Sequence, residues 1–408
     1  MPRCRSCAAE LSITMVDLGS MPLANSYLVT VPEQPDSEPR YPLHAQVCGT
    51  CLLVQVGDVV APEEIFEEYA YFSSYSSTWV EHARLFAEQA ISELGSHVEH
   101  GVVEIASNDG YLLQHFSAAG VPVLGIEPAN NVAEVARERG IPTESTFFGA
   151  ACARELRKSG MKPALIVANN VLAHVPDLND FVSGLAILTG SSGLISIEVP
   201  HVLRLIERVE FDTIYHEHFS YFSLLALGSA FGAHDLEVIR CEELPTHGGS
   251  LRLWVAPRGS RATDASVGVV EALERAGGLA DPATYPAFSD AVGRTLSDFR
   301  SFVANARAAG DTIVAYGAAA KGNTFLNAAG VTTDDIPYVV DRSPHKQGHF
   351  LPGSHLPVRD PSVVAHDRPK YVLILPWNLR DEIRSQMEHV AEWGGSFVTA
   401  IPAVEVFR

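Results

Sequence analysis

The stretch Val102–Gly110, Val-Val-Glu-Ile-Ala-Ser-Asn-Asp-Gly, constrains the chain most. Val102, Val103 and Ile105 read as a buried strand, and Asn108-Asp109-Gly110 break it in a tight turn. Tyr111-Leu112-Leu113 with Phe116 then supply the apolar stripe of a helix. A second strand, Pro122-Val-Leu-Gly-Ile-Glu127-Pro, and a helix over about Asn130–Arg139 complete a βαβ unit. Such a unit aims the backbone N–H groups of its first turn at a ligand, and an acid closing the second strand can accept hydrogen bonds from a ribose diol.

The glycines restrict that ligand. A pyrophosphate site needs G-x-G-x-x-G for close backbone approach, whereas this turn offers Glu104, Ala106, Asn108, Asp109 and only Gly110. An acid early in the loop and Glu127 after the second strand suit a ligand with an amino-acid end and a ribose but no phosphate, which describes S-adenosylmethionine. An ordinary strand-end acid of a doubly wound domain is the alternative, and it stays open on this stretch alone.

With 408 residues, the chain has room for two domains and a small appendage. A hydrophobic content of 47% against 19% charged residues indicates a soluble globular protein. The formal net charge of −20, with no basic stripe, speaks against a nucleic-acid partner. No apolar run reaches membrane length and the first residues lack a signal-peptide core, so no membrane partner and a cytoplasmic location are expected. Cys4-x-x-Cys7 and Cys48-x-x-Cys51 form two knuckles, while Cys152 and Cys241 stand apart. In a reducing compartment the paired knuckles predict a Cys₄ zinc site, structural because sulfur fills all four positions. A redox pair would need a thioredoxin-like βαβ around one motif, and the cytoplasm disfavours a disulfide framework.

Leu18–Asn25 and the proline-rich run Val31–Pro42 read as loop. Tyr69, Tyr71, Phe72 and Tyr75, interleaved with four serines, form either core or a substrate wall. The alternation of strand and helix continues after Glu127 with Ala164-Leu-Ile-Val-Ala-Asn169-Asn170, whose two amides end at the edge where α/β ligands sit, and His174 follows one turn later. Beyond the strand Gly193–Pro200, an antiparallel pair is predicted around Leu236–Cys241 and Leu251–Ala256. A second βαβ series begins at Thr312–Gly317. Its loop Gly317-Ala-Ala-Ala-Lys321-Gly322-Asn323 is a near miss to a P-loop, with Asn323 where the nucleotide lysine should stand, so ATP hydrolysis is not expected. Lys321 beside a helix N-terminus still makes a phosphate cradle, with Asp341 and Lys346 following the next strand; an inert glycine turn is the alternative. The expected organisation is an N-terminal zinc-binding module over 1–75, a central α/β domain over 76–258 and a C-terminal α/β domain over 259–408.

The densest chemistry is Tyr215-His216-Glu217-His218-Phe219-Ser220-Tyr221-Phe222. It fails as a zinc motif, because His-Glu-x-x-His sets its histidines four apart. If helical, it puts Tyr215 and His218 on one face, and Glu217 could fix a histidine tautomer. Core histidines satisfied by backbone are the alternative.

Together these motifs, with Thr246-His-Gly-Gly-Ser250, resemble over the whole chain the zinc-containing, S-adenosylmethionine-dependent sugar C-methyltransferases. The likeness is greatest to the TDP-3-amino-2,3,6-trideoxy-4-keto-D-glucose 3-C-methyltransferases of antibiotic deoxysugar biosynthesis. The resemblance implies an α/β architecture of zinc module, central class I (Rossmann-like) methyltransferase domain and C-terminal Rossmann-like domain sharing the nucleotide-sugar site. It also implies that Tyr215, Glu217 and His218 face the sugar, with Tyr69 and His174 nearby. Carbon methylation of a 4-keto sugar needs a base at C3 and donors for the enolate oxygen, and His218 is the expected base with Tyr215 second. His174 and Asn170 are candidate donors, and Glu104, Ala106, Asn108, Asp109, Gly110, Glu127 and Asn169 form the expected cofactor site. Tyr69, Asn170, Lys321, Asn323, Asp341 and Lys346 form the expected sugar-nucleotide site, in a chain expected to act as a monomer. Two other classes are a non-enzymatic nucleotide-sugar binder and an NAD-dependent sugar oxidoreductase or epimerase; the missing G-x-G-x-x-G and Tyr-x-x-x-Lys speak against the latter.

Overall fold

The computed structural model describes residues 2–34, 37–57 and 73–408. Tyr69 lies outside the described residues, as do Tyr71 and Phe72 of the aromatic run.

The N-terminal part is a small antiparallel sheet of β1 (Ile13–Met21), β2 (Tyr41–Val47) and β3 (Val54–Gln55). Residues 18–21, read from sequence as loop, continue β1 past two register shifts, at Thr14/Val16 and Asp17/Ser20. The sheet's fourth strand, β9 (Ser220–Tyr221), comes from far along the chain, with Val54 opposite Tyr221 and Gln55 opposite Ser220.

The central sheet has seven strands. Its parallel part contains β4 (Val102–Ile105), β5 (Val123–Ile126), β6 (Thr143–Glu144), β7 (Leu165–Asn169) and β8 (Leu194–Pro200), and its antiparallel pair is β10 (Leu236–Leu244) and β11 (Ser250–Pro257). The strand order is β10-β11-β8-β7-β4-β5-β6. All four residues of β4 are buried, as expected of a parallel strand covered on both faces. The order reverses between β4 and β7, which opens a crevice at the carboxyl ends of those strands.

Helix α1 (Ser77–Leu94) lies against this sheet through Phe86, Ala87 and Ala90, and Ser76 caps it by accepting from the Trp79 N–H. The long helix α2 (Ala287–Ala309) belongs to the third part, whose sheet has six strands, β12 (Ile313–Tyr316), β13 (Val339–Val340), β14 (Val358–Arg359), β15 (Tyr371–Ile374), β16 (Ser396–Thr399) and β17 (Glu405–Phe407), in the order β14-β13-β12-β15-β16-β17. Here β12 pairs in parallel with both β13 and β15, making a second reversal point. The loop leaving β12 runs into α3 (Ala320–Ala329). Gly317 (φ 94) is packed against the Pro376 ring with no room for a Cβ, so this turn requires glycine.

The N-terminal segment packs on both α/β sheets. Met15, Val16 and Leu43 join Phe325, Leu326 and Phe299 in one core, whereas Cys4, Cys48, Cys51 and Leu53 join Phe222, Phe181 and Ile197 of the central domain in another. No helix among the described residues is long and apolar enough to cross a membrane.

Candidate active site and metal centre

One cavity of about 780 Å³ runs from the ends of β4, β5 and β7 to the loop after β12. At the first end Ala106, Asn108, Glu127, Asn169 and Asn170 line it, and at the other Lys321 and Lys346 do. Tyr215, Glu217, His218 and His174 stand on the same wall.

The first turn is shaped by residues in left-handed conformations, Ala106 (φ 55), Asn108 (φ 49) and Gly110 (φ 77). They bring the Asn108 N–H to Glu127 Oε2 at 2.9 Å, while Glu127 Oε1 accepts from the Ala129 N–H at 2.9 Å. Burial raises the Glu127 pKa, and these two backbone donors oppose the rise. Glu104, Asp109 and Gly110 do not line the cavity. Glu104 is buried beneath it on β4, and burial, reinforced by the charges of Glu127 and Asp109, pushes its pKa well up. Asp109 instead accepts from the Ser74 hydroxyl at 2.5 Å and pairs with Arg139 at 3.1 Å, which ties the segment before α1 to the turn.

Residues 214–219 are not helical. A turn, closed by the His218 N–H donating to the Tyr215 carbonyl at 3.0 Å, still brings the two side chains together. The Tyr215 hydroxyl lies 2.8 Å from His218 Nε2, and His218 Nδ1 lies 3.2 Å from the Thr213 carbonyl. A carbonyl only accepts, so the His218 proton belongs on Nδ1 and its lone pair on Nε2, where the phenol donates. Glu217 fixes a tautomer differently from the sequence expectation. Its backbone carbonyl meets His174 Nδ1 at 2.8 Å, while its carboxylate accepts from Asn25 Nδ2 at 2.5 Å. His174 and His218 rings sit 4.7 Å apart. Burial pushes His174 down to about 4 and His218 well below the usual imidazole range, so both are neutral near pH 7.

At the far end, Lys321 Nζ donates to Asn378 Oδ1 at 2.9 Å and rests 4.5 Å from the Trp377 ring centre, with Asp212 and Glu210 supporting its charge against burial. Lys346 Nζ donates to the Ala318 carbonyl at 2.7 Å. Asp341 does not line the cavity; its carboxylate accepts from the Ala318 and Ser343 N–H groups, each at 2.8 Å, and so shapes the loop. Asn323 is turned away as well, donating to the Ala24 carbonyl at 3.2 Å.

Sequence reasoning missed Glu210, Asn25, Tyr27, Trp79 and His247 as wall residues. They come from separate elements, and only the Thr-His-Gly-Gly-Ser run carried any local signal.

The four cysteine Sγ atoms all lie within 4.8 Å of one another, with 3.5 Å between Cys4 and Cys51 and between Cys7 and Cys48. A tetrahedron with metal–sulfur bonds of about 2.3 Å has sulfur–sulfur edges of roughly 3.8 Å, so the donor set fits zinc. The two knuckles are built alike. Ala8 (φ 61) and Leu52 (φ 65) donate their N–H groups to the Cys4 and Cys48 carbonyls, each at 2.9 Å. Gln55 Nε2 reaches Cys4 Sγ at 3.2 Å, a donor suited to a thiolate.

Family comparisons match a zinc binding domain over residues 4–66, a methyltransferase domain over 79–240 and a C-methyltransferase C-terminal domain over 245–402. The C-methyltransferase NovU of Streptomyces niveus is 34% identical over 404 residues, covering 99% of this chain and 96% of that protein. The chain belongs to the C-methyltransferase family. Among solved structures, magnesium protoporphyrin IX methyltransferase from Synechocystis PCC 6803 covers 49% of this chain and 99% of that one at 12% identity and a TM-score of 0.35. A SAM-dependent methyltransferase from Anabaena variabilis covers 43% and 84% at 17% identity and a TM-score of 0.34. Both likenesses are too distant to bear on function.

The C-methyltransferase is thus an S-adenosylmethionine-dependent enzyme with a structural zinc module. Glu127 has both oxygens held by backbone N–H groups, and Asn169 Oδ1 is buried without a hydrogen-bond partner among the described residues.

The buried acids make stability pH-dependent. Burial raises Glu217 to about 7, Glu210 to about 8 and Asp212 to about 6. Through these three groups the folded enzyme binds more protons than the unfolded chain from about pH 4.5 until each has passed its folded value, so their contribution to stability is lost progressively and is gone by about pH 8. His174 and His247, both pushed down to about 4, act oppositely and remove stability as pH falls below about 6.5. Above about pH 6.5 only the raised acids still titrate, so thermal melts should fall from pH 6.5 to pH 8, and Glu210→Gln should flatten that slope. A melting temperature that climbs steadily from pH 5 to pH 9 would contradict these burials.

Proposed function

We propose that the enzyme methylates C3 of a TDP-linked 4-keto-deoxysugar, such as TDP-3-amino-2,3,6-trideoxy-4-keto-D-glucose, through an enolate, in deoxysugar biosynthesis in the cytoplasm. One observation carries this reading: a single cavity holds the Glu127 turn, a paired phenol and imidazole, and a lysine-bearing loop at a helix start. That is the arrangement a methyl donor, a carbon acid and a diphosphate would share.

Bound S-adenosylmethionine supplies an electrophilic methyl group on a sulfonium. The chain's part is to make and hold the nucleophile. His218 Nε2 takes the proton from C3, the C–H electron pair moves into the enolate, and the keto oxygen gains charge. The enolate carbon then bonds the methyl, the sulfur keeps the electrons of the broken bond, and the ketone re-forms. His174 is a poor donor to that oxygen, contrary to the sequence expectation, because its single proton is directed at the Glu217 carbonyl. Asn170, with both side-chain polar atoms buried and unpartnered among the described residues, retains an N–H to give. Enclosure by Tyr215, Glu217 and Phe222 limits water at the reacting carbon. Lys346 and the α3 start receive the diphosphate, with Lys321 behind them.

Calorimetric titrations test the two-ended reading. Glu127→Ala should weaken S-adenosylmethionine by about 1.5–3 kcal/mol through lost charge-assisted hydrogen bonds, with TDP affinity little changed. Lys321→Ala should do the reverse. Equal loss of both ligands in both variants would reject separate ends.

A further inference from the structure

His247 faces the cavity and has no task in the account above. Its backbone sits at φ 55, a conformation that costs a non-glycine residue free energy and persists only where its surroundings enforce it. Gly248 (φ 93) and Gly249 (φ 132) follow it. A Cβ on Gly248 would lie 2.5 Å from Glu210 Oε1 and 2.6 Å from the Trp377 ring, and one on Gly249 would lie 2.7 Å from the Arg204 side chain. Arg208 clamps the Gly248 carbonyl with a hydrogen bond. Of the three positions 247–249, only 247 has space for a side chain, and that space opens into the cavity.

The imidazole stands edge-on to Trp79, with centroids 5.2 Å apart, and makes no hydrogen bond to any described residue. Its side chain is exposed to the cavity, and desolvation by the surrounding protein together with the nearby Lys321 charge pushes its pKa down to about 4, so it is neutral near pH 7 and carries one N–H and one lone pair. Of the other imidazoles lining the cavity, His174 is committed to the Glu217 carbonyl, His218 to Tyr215 and Thr213, and His201 directs its Nε2 to Glu274, which leaves only a lone pair on Nδ1.

We propose that His247 donates its imidazole N–H to the keto oxygen of the acceptor and stabilises the charge that develops there as the carbon nucleophile forms. No proton changes owner in this contact. The inference rests on the keto-sugar reading, and it explains why a strained histidine occupies a turn that glycine would fill without strain.

The test compares His247→Gly and His247→Asn with the wild type, using a TDP-linked 4-keto-6-deoxyhexose and S-adenosylmethionine. Glycine relieves the backbone, so His247→Gly should melt at or above the wild-type temperature and bind the sugar nucleotide within a few-fold. Exchange of the proton next to the carbonyl with deuterated solvent, and methyl transfer, should both fall by about 10²–10³. Asparagine tolerates the left-handed conformation and offers an amide N–H, so His247→Asn should recover about tenfold over glycine. The proposal is overturned if His247→Gly turns over within threefold of wild type, or if its turnover falls only together with its melting temperature. A wild-type enzyme that binds no TDP-keto-sugar overturns the acceptor reading itself, and the proposal with it.

Discussion

His218→Asn should lose methyl transfer by a factor on the order of 10²–10⁴ while still binding the sugar nucleotide. Asparagine keeps approximate shape and can still donate towards the Thr213 carbonyl, but it cannot accept a proton from carbon. The wild-type base limb of kcat/KM should lie below pH 6.5, because burial holds the His218 imidazole neutral well below the usual range. Solvent-deuterium exchange without a methyl donor should fall in parallel with turnover. Tyr215→Phe separates the two candidate groups. Removing the phenol 2.8 Å from Nε2 uncovers the lone pair, so a histidine base should retain substantial activity. A dead Tyr215→Phe beside a near-normal His218→Asn would transfer the role to the phenol, which must first be lowered from about 10. If both variants work normally, the pair is structural.

The second large effect concerns the metal. Four thiolates converging on one ion contribute binding free energy of about 10–16 kcal/mol in small zinc modules, and that energy is also folding energy. Cys48→Ser, or chelation of the wild type, should therefore lower the melting temperature sharply and abolish turnover. The loss of turnover follows from the fold. Gln55 bonds Cys4 on one side and pairs with Ser220 on the other, two residues after His218. Metal analysis should give one zinc per wild-type chain, and Cys152→Ser should leave content and stability close to wild type. A chelated enzyme that keeps its N-terminal sheet and its activity would refute the coupling.

Local patterns made much of this legible. The strand–turn–helix at Val102–Gly110, the acid at Glu127 and the amides at Asn169-Asn170 all belong to one βαβ grammar, and Glu127, Asn169 and Asn170 stand where that grammar puts them. The cysteines declared themselves by spacing. Two readings failed for a common reason, since side-chain direction depends on contacts remote in sequence. Asn323 follows a lysine in a glycine-rich loop yet is captured by the Ala24 carbonyl. Glu217 acts on His174 through its backbone because Asn25 holds its carboxylate. Tyr215 and His218 meet through a turn, which period counting cannot distinguish from one helical turn over four residues. Glu210, Tyr27 and Asn25 escaped altogether, being brought to the wall from separate elements.

The pairing of β3 with β9 also has a consequence for synthesis on the ribosome. Val54-Gln55 emerges roughly 160 residues before Ser220-Tyr221, which at about 5–20 residues per second is a wait on the order of ten to thirty seconds. Throughout that interval the nascent sheet presents an unpaired edge, the feature most prone to capture by another strand. The edge is only two residues long, too short to template a stranger but long enough to receive its own late partner.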